Sequence, residues 1–300
     1  MADTAADPQF LTTREVAGLL RVKERKIYEL AAADEIPCRR VTGKLLFPRA
    51  EIEAWLAGGV AAATAASTVA AETRPDIVVG SHDPLLDWAL RESGSGLAAF
   101  FDGSLDGLER MRQGGAVLCG THVVEPERGD WNIGHVATTL ADAPCVLIEW
   151  ARRRQGLILA PEAPAIDSVA ALKGRRVALR QPKAGGRLLF DHLLAEAGLS
   201  ETDMTVLPTA ARTETDAAAA VAANTADATL GLEAMARQFR LRFVPLAEER
   251  YDLLVWRRAY FEPPLQALFG FAGTPAFAAH AAELGGYDIG GLGTVRWNGA

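Results

Sequence analysis

The sequence predicts an α/β protein: a small, mainly helical N-terminal unit followed by a larger unit of mainly parallel sheet in two lobes. Three observations predict it. The 300 residues exceed one ordinary core and suit two or three compact units of roughly 100 to 200 residues each. An alanine-rich stretch, AGGVAAATAASTVAAETRP, lacks aromatics and every large aliphatic except valine, so it divides the chain into residues 1–57 and 76–300 with a linker at 58–75. From Asp76 onward, apolar β-type runs alternate with helical patterns.

Composition sets the broad class. The chain is 49% hydrophobic and 23% charged, and no apolar run approaches the roughly 20 residues that span a bilayer, which excludes a membrane protein. The opening MADTAADPQF is acidic and polar, without an export signal, so a cytoplasmic location is expected. Cys38, Cys119 and Cys145 are widely spaced and form no C-x-x-C, which argues against a disulfide framework and a zinc site; each is expected to be a small buried apolar residue. Residues 1–58 hold nine basic and nine acidic side chains, so the whole net charge of −7 lies in the larger part. Within the smaller part, residues 21–49 carry eight basic against four acidic residues, a local basic face on an acidic protein.

LTTREVAGLL opens with a capping box of Thr12 and Glu15, then places Val16, Leu19 and Leu20 on one helical face. RVKERKIYELAAADEIP repeats the helical spacing with Val22, Ile27 and Leu30 and stops at Pro37. A connection of three or four residues makes the pair a helix-turn-helix. CRRVTGKLLF gives a hairpin around Thr42-Gly43, and Pro48 at a first helical position opens PRAEIEAWL, with Ile52, Trp55 and Leu56 facing inward. This order, with LTTREVAGLL and GKLLFPRAEIEAWL, resembles the excisionase and MerR-like DNA-binding module over about residues 9–57. A second helix in the major groove would bring Arg21, Lys23, Arg25, Lys26 and Tyr28 to double-stranded DNA, and a wing would add Arg39, Arg40 and Lys44. Such modules commonly read two half-sites, so a homodimer is expected.

In the larger unit, the strand runs are DIVVG, GLAAFFDG, AVLCG, PCVLIEW, RRVALR, MTVLP, ATLGL and RFVPL. CVLIEWARRRQGLIL and YDLLVWRRAYF read as crossovers between two lobes, which makes a cleft. IVVGSHDPLLDWAL, CGTHV, IDSVAALKGRRVALRQPKAGGRLLFDHLLAEAG, ADATLGLEAMA, FVPLAEERYDLLV and GGYDIGGLG resemble the periplasmic-binding-protein-like domain (type II) fused to helix-turn-helix modules in bacterial regulators, over about residues 76–296. That resemblance implies ligand-responsive transcriptional control without transport, and the family's ligands include molybdate and tungstate.

Ligands of open α/β folds collect beyond the C-terminal ends of strands, where helix N-termini expose unpaired amides. Two near-repeats, Gly80-Ser81-His82 and Gly120-Thr121-His122, would line that edge of lobe one with hydroxyls and imidazoles. Lobe two would add Arg180 at a strand end, then Gly185, Gly186 and Arg187 opening a helix, where glycines permit close approach and arginine binds an oxyanion bidentately. Three or four charge-assisted bonds of roughly 1.5 to 3 kcal/mol each would support an affinity near micromolar. The family's lobe-two segment reads Arg-Gln-Pro-Gly-Ser-Gly-Thr-Arg, whereas Ala184 and Gly186 stand here where the Ser and Thr would be, so two hydroxyl donors are missing. A tetrahedral oxyanion still ranks first, with a sulfur oxyanion or an organic acid as alternatives.

Blander roles compete. Asp83-Pro84 fits an N-cap and first-turn pair, Ser81 serves equally well to hold that turn, and Arg152, Arg153 and Arg154 fit a solvated face or a hinge. Ser81, His82 and Asp83 are consecutive and cannot converge as nucleophile, base and orienter, and no hydrolase, zincin or phosphate-loop motif is present. The expectation is a protein that is not an enzyme and has no cofactor and no directly coordinated metal. The remaining alternative is a DNA-binding architectural protein whose large domain only dimerises.

Overall fold

A computed structural model describes residues 10–33, 36–41, 44–53, 55, 73–163 and 165–300, with the side chains of Arg40, Val41 and Lys44 outside that description. The chain divides into two units, Met1–Thr73 and Arg74–Ala300. Most of the expected linker, and the Thr42-Gly43 turn and Leu56, lie outside the described residues.

The first unit runs β1 (Phe10–Thr12), α1 (Thr13–Leu19), α2 (Glu24–Ala32), β2 (Arg39–Val41) and β3 (Lys44–Pro48), then the helical residues 49–53, here α3. The capping box forms as expected, with Thr12 and Glu15 satisfying each other's backbone N–H groups. Between the helices the turn passes through Arg21 at φ 54°, a left-handed conformation that reverses the chain in four residues. Leu11, Val16, Ala17, Ile27, Ala31, Ile36, Phe47 and Ile52 form its core, with Trp55 packed against them. Leu19 and Val22, expected to face inward, are 51% and 40% exposed, because both fall at the turn where the helical period ends. Pro48 closes β3 opposite Phe10 instead of opening the helix, since β1, unforeseen in the sequence, extends the hairpin to three strands in the order β1-β3-β2.

The second unit begins with β4 (Ile77–Gly80), α4 (Pro84–Glu92), β5 (Ala98–Phe101), α5 (Ser104–Arg112), β6 (Leu118–Thr121), β7 (Val124–Glu125), β8 (Asp130–Trp131), α6 (Ile133–Thr139) and β9 (Cys145–Leu159). It continues with β10 (Arg176–Ala178), α7 (Gly185–Glu196), β11 (Thr205–Val206), α8 (Glu214–Ala222), β12 (Ala228–Leu232), α9 (Glu233–Gln238) and β13 (Arg242–Trp256), then α10 (Pro263–Ala272), α11 (Pro275–Leu284), β14 (Tyr287–Asp288) and β15 (Val295–Asn298). One ten-stranded sheet carries all but the β7-β8 pair, with the path β11-β10-β12-β9-β13-β6-β4-β5.

The outer three strands of each lobe are parallel, β5-β4-β6 and β11-β10-β12, while the long β9 and β13 run antiparallel to each other and to β12 and β6. These two 15-residue strands pass from one lobe into the other, so their middles form the floor of the cleft. Lobe one packs α4, α5, α10 and α11 around Trp150, Tyr251 and Phe277, and lobe two packs α7 around Leu157, Val177 and Phe190. Cys119 and Cys145 are buried as expected, whereas Cys38 is only partly so. Among the described residues no helix is long and apolar enough to cross a membrane.

Candidate functional site

Four strand ends build the site. After β4 the chain turns at Gly80 with φ 97°, where a Cβ would lie 2.1 Å from the carbonyl oxygen of Gly120, so only glycine fits. Ser81 and Asp83 follow, both fully buried. Asp83 is the N-cap of α4, accepting the Leu86 amide at 2.7 Å, and its other oxygen accepts from Arg153 at 2.8 Å and Tyr287 at 2.6 Å. β6 delivers His122, whose ring sits between the Ser81 hydroxyl (Nε2–Oγ 2.9 Å) and the Glu249 carboxylate (Nδ1–Oε2 2.8 Å). From the cleft floor, Arg153 of β9 lies directly opposite Glu249 of β13 in register and donates to it, while Gln155 donates to the same oxygen at 2.9 Å.

Lobe two closes onto this network. Gly185 begins α7 against lobe one: a Cβ there would stand 2.4 Å from the His122 carbonyl oxygen and 2.8 Å from its Nε2. α7 has no side-chain cap, and Gly185, its first residue, is the one seated against His122. Glu214, the first residue of α8, brings its carboxylate over Gly186 and pairs with Arg180, which also donates to the Arg212 carbonyl at 3.0 Å. At the outer edge, Lys183 bonds Asp106 at 2.7 Å and Gln181 bonds the Asp102 carbonyl at 2.8 Å, tying the lobes together.

Burial makes these charges matter. It drives the Glu249 pKa upward, but Arg153, then His122 and the bonds from His122 and Gln155, more than offset it and hold the carboxyl well below its ordinary value. Arg153 likewise loses solvation yet is held firmly charged by Glu249 and Asp83. Two arginines, Arg153 and Arg180, therefore face three carboxylates, Asp83, Glu214 and Glu249. His82 points the other way. Burial lowers its pKa, and its Nδ1 has no hydrogen-bond partner while the ring packs edge-on against Phe101 at 5.5 Å. It lines a chamber of about 590 Å³ walled by α4 and α11 from one lobe and by α8 and α9 from the other.

The structure thus brings together Ser81, His122, Arg180, Gly185 and Gly186, and sets His82 in the adjoining chamber. Two expected residues are turned elsewhere. Thr121 donates to Asn132 at 3.3 Å within a buried group that also holds Asp252, and Arg187 bonds Asp191 and Glu201 on the surface. Among the described residues no cluster of His, Cys, Asp or Glu could hold a metal ion. Arg153, Glu214, Gln155 and Glu249 were missed. For Arg153 a signal existed, since alternation along a strand turns the middle of three arginines to the face opposite its neighbours.

Residues 87–273, more than half of the chain, match the PBP superfamily domain. The chain belongs to the PBP superfamily. Residues 10–60 match a helix-turn-helix domain, so this PBP-superfamily chain joins a DNA-binding type of module to a ligand-binding type. It is similar to YvgK, an uncharacterised protein of Bacillus subtilis (strain 168), with 26% identity over 92% of this chain and 94% of that one. The fold is shared with a putative phosphate ABC transporter substrate-binding protein with bound phosphate from Clostridium perfringens, at 10% identity, a TM-score of 0.53, and 71% and 98% of the two chains covered. The periplasmic aliphatic sulphonate binding protein SsuA from Escherichia coli gives 21% identity and a TM-score of 0.43 over 69% of this chain and 76% of that one.

In the helix-turn-helix unit, Arg21, Lys23, Arg25, Lys26 and Tyr28 are all exposed at the turn and on α2. Arg25 and Lys26 share Glu29, at 3.1 and 4.0 Å, and Arg39 pairs with Glu51 at 2.7 Å. The expected wing contacts of Arg40 and Lys44 lie outside the described residues.

Proposed function

We propose that this chain is a cytoplasmic one-component transcriptional regulator, acting as a homodimer, whose N-terminal unit binds double-stranded DNA and whose cleft senses a small anion. The observation that carries the reading is the seating of Gly185 of lobe two against His122 of lobe one, beside the uncapped start of α7 and the buried Arg180. A domain whose lobes meet at amides and a guanidinium suits closure on an acidic group, and closure biases the attached DNA-binding unit if the ligand prefers one arrangement. A tetrahedral oxyanion, molybdate and tungstate included, would have to take the place of Glu214 on Arg180 and Gly186. Screening the full chain by thermal shift with molybdate, tungstate, phosphate, sulfonates and organic acids tests this. A true ligand at a hundredfold excess over its Kd adds about 2.7 kcal/mol of stability. If no anion raises the melting temperature, the architectural alternative takes its place.

One observation favours a second reading. Ser81, His122 and Glu249 come from separate strands and have the hydrogen-bond spacing of a nucleophile, base and orienter. Against turnover, all three are fully buried, and Glu249 is shared with Arg153 and Gln155. A fluorophosphonate probe decides: labelling that vanishes in Ser81→Ala supports acyl transfer, and no labelling supports a binding protein.

A further inference from the structure

The chamber behind His82 differs in character from the strand-end site beside it. At the strand ends the charged donors are committed to carboxylates: Arg153 to Asp83 and Glu249, and Arg180 to Glu214, with the buried Nε of each arginine left over, while the Ser81 hydroxyl bonds His122. A multiply charged inorganic anion placed there sits beside three carboxylates and must displace one of them. The chamber is open, about 590 Å³, and falls within the roughly 300 to 1,000 Å³ that organic ligands occupy. A four-oxygen anion displaces only a few waters, each about 30 Å³ of liquid, and would leave most of that space wet.

Its walls are mixed in a specific way. Met235 and Leu284 supply apolar surface, and Trp88 stacks on His280 with ring centroids 3.9 Å apart, giving a flat aromatic edge. Asp87 is bonded to Arg91 and Glu283 lies 3.6 Å from His280. Among the described residues Arg237, exposed at the rim of the chamber, has no carboxylate partner; its guanidinium instead packs over Gly285, where a Cβ would meet it at 1.9 Å. At the inner wall, the Nδ1 of His82 is buried with no partner.

Resting on the reading of the cleft as an anion sensor, we propose that this chamber holds the ligand and that the ligand is an organic monoanion, a carboxylate or sulfonate carried on an apolar, ring-sized group. The acid group pairs with Arg237, the apolar group lies along Met235, Leu284 and the Trp88–His280 stack, and His82 supplies one inner hydrogen bond. Because the walls come from both lobes, filling the chamber favours the closed arrangement, which links recognition to the same motion that the regulator reading requires.

Calorimetric titration of the full chain with benzoate and benzenesulfonate, against phosphate and molybdate, tests the assignment. The aromatic acids are expected to bind at least tenfold more tightly than either inorganic anion. Arg237→Gln, at an exposed position, should weaken them at least tenfold, and Gln238→Trp, which fills the chamber from a second exposed position on α9, should do the same. Phosphate or molybdate binding while the aromatic acids do not overturns the chamber and leaves the anion-sensor reading standing. Aromatic acids that bind both variants as they bind the parent also overturn it, as does binding of none of the four.

Discussion

The DNA-binding unit and the cleft use the same acid–base pairs under opposite conditions. On α2, Arg25 and Glu29 are paired with side chains 89% and 52% exposed, whereas Arg153 and Glu249 in the cleft are both at 0%. Water screens the first pair, which contributes at most a few tenths of a kcal/mol and releases its arginine to a phosphate almost freely. The second pair has given up its hydration and cannot part without leaving a bare charge in a buried place. The comparison teaches that the head keeps its cations available while the cleft commits them, so a basic residue counted in the sequence is a ligand group only where its partner is weak.

The sharpest way to break this contrast is Arg153→Met, which strips Asp83 and Glu249 of their shared cation. Loss of one partner of a buried pair costs about 3 to 5 kcal/mol, and urea melts of the full chain should show it in the transition of the larger unit. Retention of the parent midpoint would mean that water solvates the cleft floor.

pH separates two buried carboxyls by sign. Glu249 is held below its ordinary 4.5, so the stability it contributes is present above that value and is lost as the medium falls through the lower folded pKa. Asp252 behaves in the opposite sense: burial raises its pKa to about 6, against the pull of Arg250 and Asn132, so its contribution is present below its ordinary 3.8 and disappears as pH rises through about 6. Between these limits Asp252→Asn should abolish a loss of at most about 3 kcal/mol, at 1.36 per pH unit. A parent chain whose stability does not fall between pH 4 and 6 relative to the variant contradicts the assignment.

The smallest effect belongs to the head. Replacing Arg25 and Lys26 together by Ala should reduce the slope of log K against log salt by about 1.8, at about 0.9 per phosphate contact. Fluorescence anisotropy with a labelled duplex at several salt concentrations measures it, and an unchanged slope would take α2 out of the groove.

Much of this organisation is legible in the sequence, for reasons that can be named. Capping box, turn and β hairpin are local, and CVLIEWARRRQGLIL matches β9 from Cys145 to Leu159 because one long strand has to link the lobes. β13 was harder to read, since RFVPL and YDLLVW look like separate runs; a register shift between Pro245 and Ala247 lets one strand absorb the proline. Each half of the near-repeat sends one residue to the strand-end site, Ser81 and His122, which bond each other, while His82 faces the adjoining chamber and Thr121 turns to Asn132. Glu214 and Glu249 could not be found from the sequence, because each is one acid among many, and only the folded register sets Glu249 opposite Arg153.

The central claim, that occupation of the cleft is felt by the DNA-binding unit, has one direct test. A duplex is selected from a random pool by the full chain, and its Kd is then measured by anisotropy with and without whichever anion raises the melting temperature. A change of tenfold or more, about 1.4 kcal/mol of coupling, is the predicted result. An identical Kd with the larger unit saturated by that anion would contradict it.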